Sequence, residues 1–327
     1  MSTVAAVIPH WNRRDFLDPL FASLRLQSRP FDEIIVADNG STDGSAALAE
    51  RAGARVLRLG SNLGFAAAAN RGVEAARTDW VAILNNDVTL DAGWLEKLVD
   101  AAEREHAWFA TGKILRAGDR SRLDGAFDEI SRGACACRCG AGKPDAPLWD
   151  QPRRIRIAPM TAAVFRRELF GEIGCLDESF KSYLEDVDFG LRCALAGRDG
   201  VYVPAAVSSH QGSATMGEWN KDTVRLIARN QVLLAAKHFR GEPRLPILAG
   251  QLLWGVLALR HGRGGAYLRG KISGLGAARA IPREHALPAA QQRFRSVVEA
   301  SEGEILEIER QTGFDWYWRA YFWLLPR

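Results

Sequence analysis

The sequence has no hydrophobic run long enough to cross a membrane, and it contains little cysteine. Its longest apolar stretch, residues 245–259, is shorter than the roughly 18 to 20 residues that a membrane-spanning helix requires. The first apolar run follows Met1 almost directly, without the basic segment and long apolar core of a secretory signal. Five cysteines, an odd number, indicate reduced thiols rather than a disulfide framework. These absences together favour a cytoplasmic protein.

Two nucleotide-binding signatures are also missing. No G-x-G-x-x-G motif follows the first apolar run, which argues against dinucleotide oxidoreductases. No P-loop lysine motif is present either, which argues against P-loop phosphotransferases. With 327 residues, 47% of them hydrophobic and 25% charged, the chain has the composition of a globular protein with one large domain or two small ones.

Charge is distributed unevenly along the chain. Residues 1–150 carry 18 Lys or Arg and 21 Asp or Glu, which makes this part slightly acidic. Residues 240–295 instead hold ten basic residues against only Glu242 and Glu284. A basic stretch of this kind predicts contact with an anionic surface or with a partner that carries a polyphosphate.

The first hundred residues alternate between apolar runs typical of strands and amphipathic segments typical of helices. The predicted strands are 4–9, 33–37, 55–59 and 80–84, and the predicted helices are 16–24, 44–51, 65–77 and one after Asp91. This pattern predicts an α/β fold with a mostly parallel sheet and right-handed crossovers. We expect Ser41 or Thr42 to cap the second helix and Asp91 to cap the fourth.

The remaining chain is less regular at first and then becomes helical. Residues 116–156 are rich in Gly, Arg, Cys and Pro, and we interpret them as strands and loops that cover the far half of the sheet. A helix is predicted at 166–172, an acidic helix begins at Glu185, and 201–203 reads as a strand. From Trp219 onward the pattern predicts helices.

Polar residues follow two of the predicted strands directly. The run 34–37 ends in Asp38, and the run 80–84 ends in Asn85, Asn86 and Asp87. Because open α/β sheets bind ligands at the carboxyl ends of their strands, both tips are expected at a binding edge, where they suit a nucleotide held with a divalent metal. Asp38 could instead form an Asx-turn, and Asp87 could belong to a polar turn.

Three acids within four residues form a second candidate site. Glu185, Asp186 and Asp188 begin a helix, where their mutual repulsion needs an offset, and this makes the cluster a candidate general base. The alternative is complementation of the helix dipole together with an Asp188–Arg192 pair. His210, which follows the strand 201–203, is a candidate metal ligand or a structural histidine.

Two further stretches have a structural and a functional interpretation. In residues 62–72, Gly64 precedes an alanine-rich helix that could lie close to the sheet or place its N-terminus near an anion. Cys135, Cys137 and Cys139 could bind a soft metal, but no matching Cys or His pair follows at zinc spacing. We therefore favour small residues on a β-ribbon for the cysteines.

Taken together, the motifs resemble the family 2 glycosyltransferases, and within them a rhamnosyltransferase-like branch. The resemblance runs from Val4 to about Phe239. Its landmarks are VIPHWN (7–12), DNGSTD (38–43), NLGF (62–65), LNNDV (84–88), LDE (176–178), EDVD (185–188) and RN (229–230). It implies a GT-A fold and transfer of a sugar from a nucleoside-diphosphate donor with inversion at the anomeric carbon.

The resemblance also assigns roles to individual residues. The donor-binding residues that it implies are Pro9, Asn12, Asp38, Asn39, Gly40, Asn62, Gly64, Asn70, Asn85 and Asn86. Asp87 matches the metal-binding end of the family's D-x-D position, whose first carboxylate is replaced by Asn85, and His210 matches a position that can ligate the metal, Mn²⁺ or Mg²⁺. Asp186 would deprotonate the acceptor hydroxyl, with Glu185 and Asp188 beside it in the catalytic cluster.

These implications define two predicted regions and their partners. Residues 1–240 are expected to form the GT-A catalytic domain, and residues 241–327 a basic, aromatic helical tail. Aromatic and basic residues together suit a membrane interface, although packing on the catalytic domain or a dimer contact would explain them equally well. The expected partners are the sugar donor, a saccharide or lipid-linked saccharide acceptor and a peripheral membrane surface, and we expect no nucleic acid.

Two other functions fit parts of the sequence. A sugar-nucleotide nucleotidyltransferase would carry a Gly-rich, basic loop after its first strand, whereas residues 10–14 supply only Arg13 and Arg14 as basic residues without glycine. A binding scaffold that has lost catalysis is the second alternative. The joint presence of Asp38, Asp87 and Asp186 argues against the scaffold.

Overall fold

The computed structural model describes residues 1–212, 219–281 and 288–326. These residues form two compact units. The first unit consists of residues 1–127 and 140–212, and the second of residues 128–139 and the described residues from 219 onward. The predicted functional division at residue 240 stays a prediction, although the helix just before it belongs to the second compact unit.

The first unit alternates strands and helices as the sequence predicts. Its strands are β1 (Val4–His10), β2 (Glu33–Asp38), β3 (Arg55–Arg58), β4 (Trp80–Leu84), β5 (Val88–Leu90), β6 (Phe109–Arg116), β7 (Asp119–Gly125), β10 (Arg153–Ile155), β11 (Ala162–Arg166) and β12 (Gly200–His210). Its helices are α1 (Leu17–Arg25), α2 (Ser45–Arg51), α3 (Phe65–Ala75), α4 (Trp94–Arg104), α5 (Arg167–Ile173) and α6 (Glu185–Leu195).

These strands form one sheet, ten-stranded within the described residues, in the order β10-β12-β6-β11-β4-β1-β2-β3, with β5 beside β12 and β7 beside β6. β1 pairs in parallel with both β2 and β4, and β2 pairs in parallel with β3. β11 runs antiparallel between β4 and β6, so β6 and its parallel partner β12 share the direction of β1. The mostly parallel sheet is thereby confirmed.

Helices cover both faces of the sheet. On one face α1 and α4 bury Leu20 and Leu98 in a core cluster that also contains Ile8 of β1, and each fully buried leucine contributes roughly 1.5–3 kcal/mol. On the other face α3 presents small residues, and a Cβ added at Gly72 would lie 2.3 Å from Val7 Cγ1. The alanine-rich stretch therefore serves close helix–sheet packing, one of its two interpretations.

Three local expectations are wrong or only partly right. α2 has Gly44 at its N-cap position and no side-chain cap. The Ser41 hydroxyl oxygen instead accepts a hydrogen bond from the backbone amide of Asn12 at 2.8 Å. Asp91 pairs with Arg120 at 3.0 Å and does not cap α4 with its side chain. In residues 116–156, β7 and β10 join the large sheet, but the remaining strands of that segment do not.

The second unit contains those remaining strands and five helices within the described residues. Its elements are β8 (Asp128–Ile130), β9 (Ala136–Arg138), α7 (Lys221–His238), α8 (Arg244–Arg260), α9 (Gly264–Ala277), α10 (Pro288–Thr312) and α11 (Trp316–Leu324). β8 and β9 form a two-stranded antiparallel sheet, the β-ribbon expected for the cysteine stretch. No helix in the described ranges is long and apolar enough to cross a membrane.

Close packing and a buried polar cluster organise this helical unit. α9 lies against α7, where a Cβ added at Gly270 would lie 2.3 Å from the Arg225 carbonyl oxygen. Lys271 on α9 donates hydrogen bonds to the side-chain oxygens of Gln231 (2.8 Å) and Gln251 (2.7 Å). Burial lowers the pKa of Lys271 to about 8.

We expect Lys271 to make the stability of the protein depend on pH. Between pH 8 and the ordinary lysine pKa of 10.5, the unfolded chain binds this proton and the folded chain does not, so stability increases with pH. Lys271→Met lacks this titration. The difference in unfolding free energy between the variant and the wild type should therefore be more favourable to the variant at pH 7 than at pH 10, by up to about 3 kcal/mol. Urea denaturation at both pH values measures this, with the exposed Arg269→Met as the control. Parallel pH profiles for the wild type and Lys271→Met would contradict the assignment.

Candidate active site

The loops after β1 and β2 are joined by hydrogen bonds at one edge of the sheet. In the parallel register His10 lies beside Asp38, and the backbone amide of Asn39 donates to the backbone carbonyl oxygen of His10 at 2.7 Å. The Asn12 side-chain oxygen accepts from the Thr42 amide at 3.0 Å. The structure thus brings together the Pro9–Asn12 segment and Asp38, as expected for a nucleoside pocket.

The turn after Asp38 depends on one glycine. The buried Asp38 carboxylate accepts from the Ser41 amide at 3.2 Å, which is the Asx-turn interpretation of this residue. Gly40 has φ +78°, and a Cβ added there would lie 2.8 Å from Ser61 Cα. Any side chain at position 40 would push apart the loop after β2 and the loop after β3, which contains Ser61.

Two of the predicted donor-binding asparagines hold loops with their side-chain amides. Asn39 donates to the Gly64 carbonyl oxygen at 3.0 Å and accepts from the Leu63 amide at 3.1 Å. Asn70 makes the same paired contact with the backbone of Leu176, at 2.9 and 3.0 Å. Asn62 accepts from the Gly64 amide at 3.0 Å. A donor-binding role for these three side chains stays a prediction.

The N-terminus of α3 binds the loop that precedes α6. The Phe65 amide donates to Ser182 Oγ (3.1 Å), and the Ala66 amide donates to the Lys181 carbonyl oxygen (2.9 Å). The loop itself is strained, because Lys181, Tyr183 and Leu184 have φ between +63° and +72°. These helix amides therefore position the catalytic candidates of α6, and they are not directed at an anion.

A substitution at Gly64 tests the contact between the start of α3 and the 181–184 loop. Gly64 has φ +98°, and a Cβ added there would lie 2.7 Å from the Lys181 carbonyl oxygen. We expect Gly64→Ala to lower the melting temperature and to reduce turnover, because the 181–184 loop must move. Gly60→Ala is the matched control, since Gly60 has φ +79° with nothing within 4 Å of the added Cβ. It should lose only the roughly 1–2 kcal/mol of left-handed strain, and equal losses for the two variants would contradict the argument.

The three acids at the start of α6 have different environments. Glu185 is buried, and its pKa is raised well above the ordinary value by desolvation first and by the neighbouring Asp186 charge second. Asp188 is fully buried and accepts from Arg192 Nε at 3.1 Å, so the predicted i, i+4 pair is present. Asp186 is half-buried, and its carboxylate accepts from the Val187 amide at 2.9 Å.

These differences predict different stabilities for two similar variants. Asp188→Asn leaves a buried Arg192 without its counter-charge and should cost about 3 kcal/mol or more of stability. Asp186→Asn should change stability by less than about 0.5 kcal/mol, because the site is partly exposed and the amide oxygen still accepts a hydrogen bond. Chemical denaturation of the two variants checks the contrast. A stable Asp188→Asn protein would show that the Asp188–Arg192 pair is dispensable.

An asparagine–histidine contact joins the residues that follow β4 to the last residue of β1. Asn86 Nδ2 lies 2.9 Å from His10 Nδ1, which fits an amide donor and a neutral imidazole. Burial lowers the pKa of His10, and Asp38 and Asp43 oppose this effect only in part. His10 Nε2 is buried and has no hydrogen-bond partner among the described residues. His10 therefore lies among the candidate donor-binding residues, although no sequence pattern singles it out.

Asp87, directly before β5, meets His210 at the end of β12, the strand with which β5 pairs. His210 Nε2 lies 3.1 Å from Asp87 Oδ1, and His210 Nδ1 lies 2.9 Å from Asp124 Oδ2. Asn85 Nδ2 lies 3.4 Å from His210 Nε2. Burial alone would lower the pKa of His210, but the hydrogen bonds to Asp124 and Asp87 outweigh burial and raise this pKa to about 9.

The donor atoms of this pair, a carboxylate oxygen and an imidazole nitrogen, are ones that a divalent metal can bind. Because Asp87 Oδ1 and His210 Nε2 lie at the 3.1 Å of a hydrogen bond, a metal would take the place of the proton between them. Asp124 would orient the imidazole from behind, as carboxylates do for metal-bound histidines. Within the described ranges no group of three or more His, Cys, Asp or Glu is arranged to hold a metal. Asp87 and His210 would therefore be two protein ligands of an otherwise open coordination sphere.

Several residues of this edge carry no recognisable signal in the sequence. Asp124 lies in a stretch that lacks a recognisable motif, and Ser182 is an ordinary polar residue in a loop. Both enter the site through contacts with residues far away in the chain, at position 210 for Asp124 and at position 65 for Ser182. Arg13, considered for a nucleotidyltransferase loop, pairs with Asp15 at 2.9 Å and lies over the Phe16 ring.

Comparisons with known proteins show the family of this chain. The family model for glycosyl transferase family 2 matches residues 5–174, a span that includes Asp38 and Asp87 and ends before Asp186 and His210. The chain belongs to glycosyltransferase family 2. Its similarity to an N-acetylglucosaminyl-diphospho-decaprenol L-rhamnosyltransferase of Mycobacterium tuberculosis is 32% identity over 268 residues, which cover 75% of this chain and 87% of that protein. The expected rhamnosyltransferase-like resemblance is confirmed.

Solved structures confirm the GT-A fold. GalNAc-T7, crystallised with UDP, GalNAc and Mn²⁺, has a TM-score of 0.64 at 14% identity, with 96% of this glycosyltransferase and 58% of that chain covered. The mannosyltransferase PcManGT from Pyrobaculum calidifontis, in complex with GDP-Man and Mn²⁺, has a TM-score of 0.53 at 18% identity. That comparison covers 98% of this glycosyltransferase and 86% of the other. At these identities the likeness shows the fold alone.

Proposed function

We propose that this glycosyltransferase moves a sugar from a nucleoside-diphosphate donor to a hydroxyl of a lipid-linked saccharide, with Asp186 as the general base. The observation that carries the proposal is the attachment of the 181–184 loop to α3, which fixes α6 relative to the loops after β1 and β2. The mycobacterial relative is named for a rhamnosyl transfer to a diphospho-decaprenol-linked acceptor, which supports the acceptor class and a rhamnosyl donor.

The donor would lie along the edge formed by the ends of β1, β2 and β4. Asp38 and Asn12 would bind the nucleoside, with Pro9, Asn39 and Gly40 shaping the pocket. Asn86 and the buried His10 would lie beside the donor, where a neutral imidazole and an amide can accept or donate hydrogen bonds without adding charge. The loop 62–64, held by Asn39, would close one side.

Asp87 and His210 would hold a divalent metal, Mn²⁺ or Mg²⁺. Such an ion, when bound, neutralises the charge that develops on a leaving diphosphate. Two relatives in fold are solved with Mn²⁺, which supports this choice. The Asn85 amide stands where the family's motif has a carboxylate, so this chain would bring one negative charge fewer to the ion.

In the transfer itself, Asp186 would act as the general base. The Asp186 carboxylate accepts the proton of the acceptor hydroxyl while that oxygen forms a bond to the anomeric carbon from the face opposite the diphosphate. The bond between the anomeric carbon and the diphosphate oxygen breaks in the same displacement, which inverts the configuration. Glu185, with its raised pKa, would stay neutral beside Asp186, and Asp188 would hold α6 through Arg192.

A conservative substitution tests the base. We expect Asp186→Asn to lower the transfer rate by about 10²–10⁴ and to leave the affinity for nucleoside diphosphates unchanged. Turnover with the candidate sugar nucleotides and calorimetric titration with the corresponding diphosphates measure the two quantities. Glu185→Gln is the control, because a residue that is already neutral should lose little activity as an amide. Retained turnover in Asp186→Asn, or lost nucleotide binding, would refute the assignment.

A thermal-shift panel tests the donor and the metal together. We expect one of UDP, dTDP and GDP to stabilise the protein with Mn²⁺, by roughly 2.7 kcal/mol at 100 times its dissociation constant, and NAD to have no effect. Asp87→Ala should abolish the Mn²⁺-dependent part. Stabilisation that is independent of Mn²⁺ would leave the transferase intact and remove Asp87 and His210 as ligands.

The location that accompanies this function is the cytoplasm, with peripheral contact to the membrane that carries the acceptor. The polar donor edge and a lipid-linked acceptor must meet at such a surface. This location rests on the proposed acceptor.

A further inference from the structure

The helical unit exposes an unusual number of large apolar side chains on two neighbouring helices. α8 and α9 are joined by a short turn, and Tyr267 on α9 donates to the Gln251 carbonyl oxygen of α8 at 2.8 Å. Eight large apolar side chains of these helices are each at least 44% exposed. They are Leu245, Leu248, Leu252, Val256 and Leu259 on α8, and Leu268, Ile272 and Leu275 on α9.

The spacing of these residues places them on one side of each helix. On α8 they recur every three or four residues over the whole length, and on α9 they fall at i, i+4 and i+7. The opposite side of α8 carries Gly250 and Ala258, which are buried, and that of α9 carries Gly270 and Gly274 against α7. The exposed stripes are therefore not needed for packing within the unit. We call these eight residues the apolar face.

The charged residues of α8, α9 and the turn between them are all basic. Residues 244–277 contain no Asp or Glu, whereas Arg244, Arg260, Arg263 and Arg269 lie on or between the two helices. The Arg260 guanidinium lies 4.9 Å from the centre of the Trp316 ring, and Trp316 is itself 40% exposed. An indole beside an arginine at the edge of an apolar surface suits the headgroup region of a bilayer.

A groove beside the apolar face adds two more cations. It has a volume of about 460 Å³, lies between the ends of α7 and α9, and is lined by Arg240, Arg279 and Leu275 among others. Leu275 belongs to both the groove and the apolar face. A groove with two guanidinium groups and apolar walls matches a lipid phosphate with the beginning of its acyl chains.

We propose that the apolar face is the surface by which this protein docks on a membrane that contains anionic phospholipids. Helices with exposed leucines and flanking arginines lie in the plane of the interface, with their apolar side roughly 5–10 Å deep among headgroups and upper acyl chains. The arginines would contact the phosphates, and the groove with Arg240 and Arg279 would hold one headgroup at the rim. This inference rests on the proposed function for the membrane contact itself, and it assigns that contact to named residues of the helical unit.

The charge pattern also decides against a second copy of the chain as the partner. In a symmetric dimer the apolar face would meet itself, so the arginines of both copies would approach each other without an acid on α8 or α9 to pair with them. An anionic bilayer meets the same arginines with opposite charge. The observed charges thus favour the lipid surface over self-association.

Vesicle flotation with the full-length protein tests the proposal. We expect the wild type to float with vesicles of phosphatidylcholine and phosphatidylglycerol, and to bind less as salt shortens the Debye length from about 10 Å to about 3 Å. Leu252→Glu on α8 and Ile272→Glu on α9 should each lower the bound fraction at least tenfold. Leu26→Glu is the matched control, since Leu26 is 70% exposed in the first unit and should change nothing.

The arginines are tested separately. Arg244→Gln with Arg269→Gln should weaken binding to vesicles that contain phosphatidylglycerol several-fold and leave the weak binding to pure phosphatidylcholine unchanged. Nucleoside-diphosphate binding should be the same in all variants, so a failure of the proposed transfer reaction would be seen apart from a failure to dock.

Three results would overturn the proposal. The first is a wild-type protein that does not float with anionic vesicles, and the second is a Leu252→Glu variant that floats as well as the wild type. The third is a dimer in light scattering that Leu252→Glu dissociates while vesicles are not bound, which would assign the apolar face to a second copy.

Discussion

The parallel pairing of β1 with both β2 and β4 is the constraint on which the candidate site depends. It sends the carboxyl ends of three strands to one edge, where Asp38 lies beside His10 and the residues after β4 follow on the other side. Hydrogen bonds then join the loops that leave these strands, and Gly40 and Gly64 permit backbone contacts that a side chain would prevent. The polar groups at the ends of the three strands are thereby collected from separate segments of the chain, and the apolar strands that precede them supply the rigidity.

The second requirement is a fixed position for α6, which carries the proposed base. Backbone amides at the start of α3 hold the strained 181–184 loop, and Arg192 ties Asp188 to the carbonyl oxygens at the end of α5. Asp186 stays half-buried between these anchors. Of three neighbouring acids, Glu185 has a pKa raised by burial, Asp188 is paired with a guanidinium, and Asp186 is the proposed base. A cluster that would be mutually repulsive in water is divided into separate roles by its surroundings.

Much of this arrangement could be predicted from the sequence, because it depends on patterns among residues that are close together in the chain. The strands and helices of the first hundred residues follow from apolar periodicity, and Asp38 and Asp87 follow from polar residues that end apolar runs. The Asp188–Arg192 pair follows from i, i+4 spacing. Asp124, His10 and Ser182 could not be predicted, since their partners lie 117 residues away for Ser182, 86 for Asp124 and 76 for His10. The expected caps Ser41 and Asp91 were wrong for the same reason, because distant groups compete for those side chains.

The most direct test of the central claim is a crystal structure of this glycosyltransferase with Mn²⁺ and the nucleoside diphosphate that binds it best, recorded at a wavelength where manganese scatters anomalously. The account predicts an anomalous peak about 2.1–2.2 Å from Asp87 Oδ1 and His210 Nε2, with the nucleoside against Asp38 and the Asp186 carboxylate facing the place of the transferred sugar. A manganese peak away from Asp87 and His210, or a nucleotide bound away from Asp38, would contradict it.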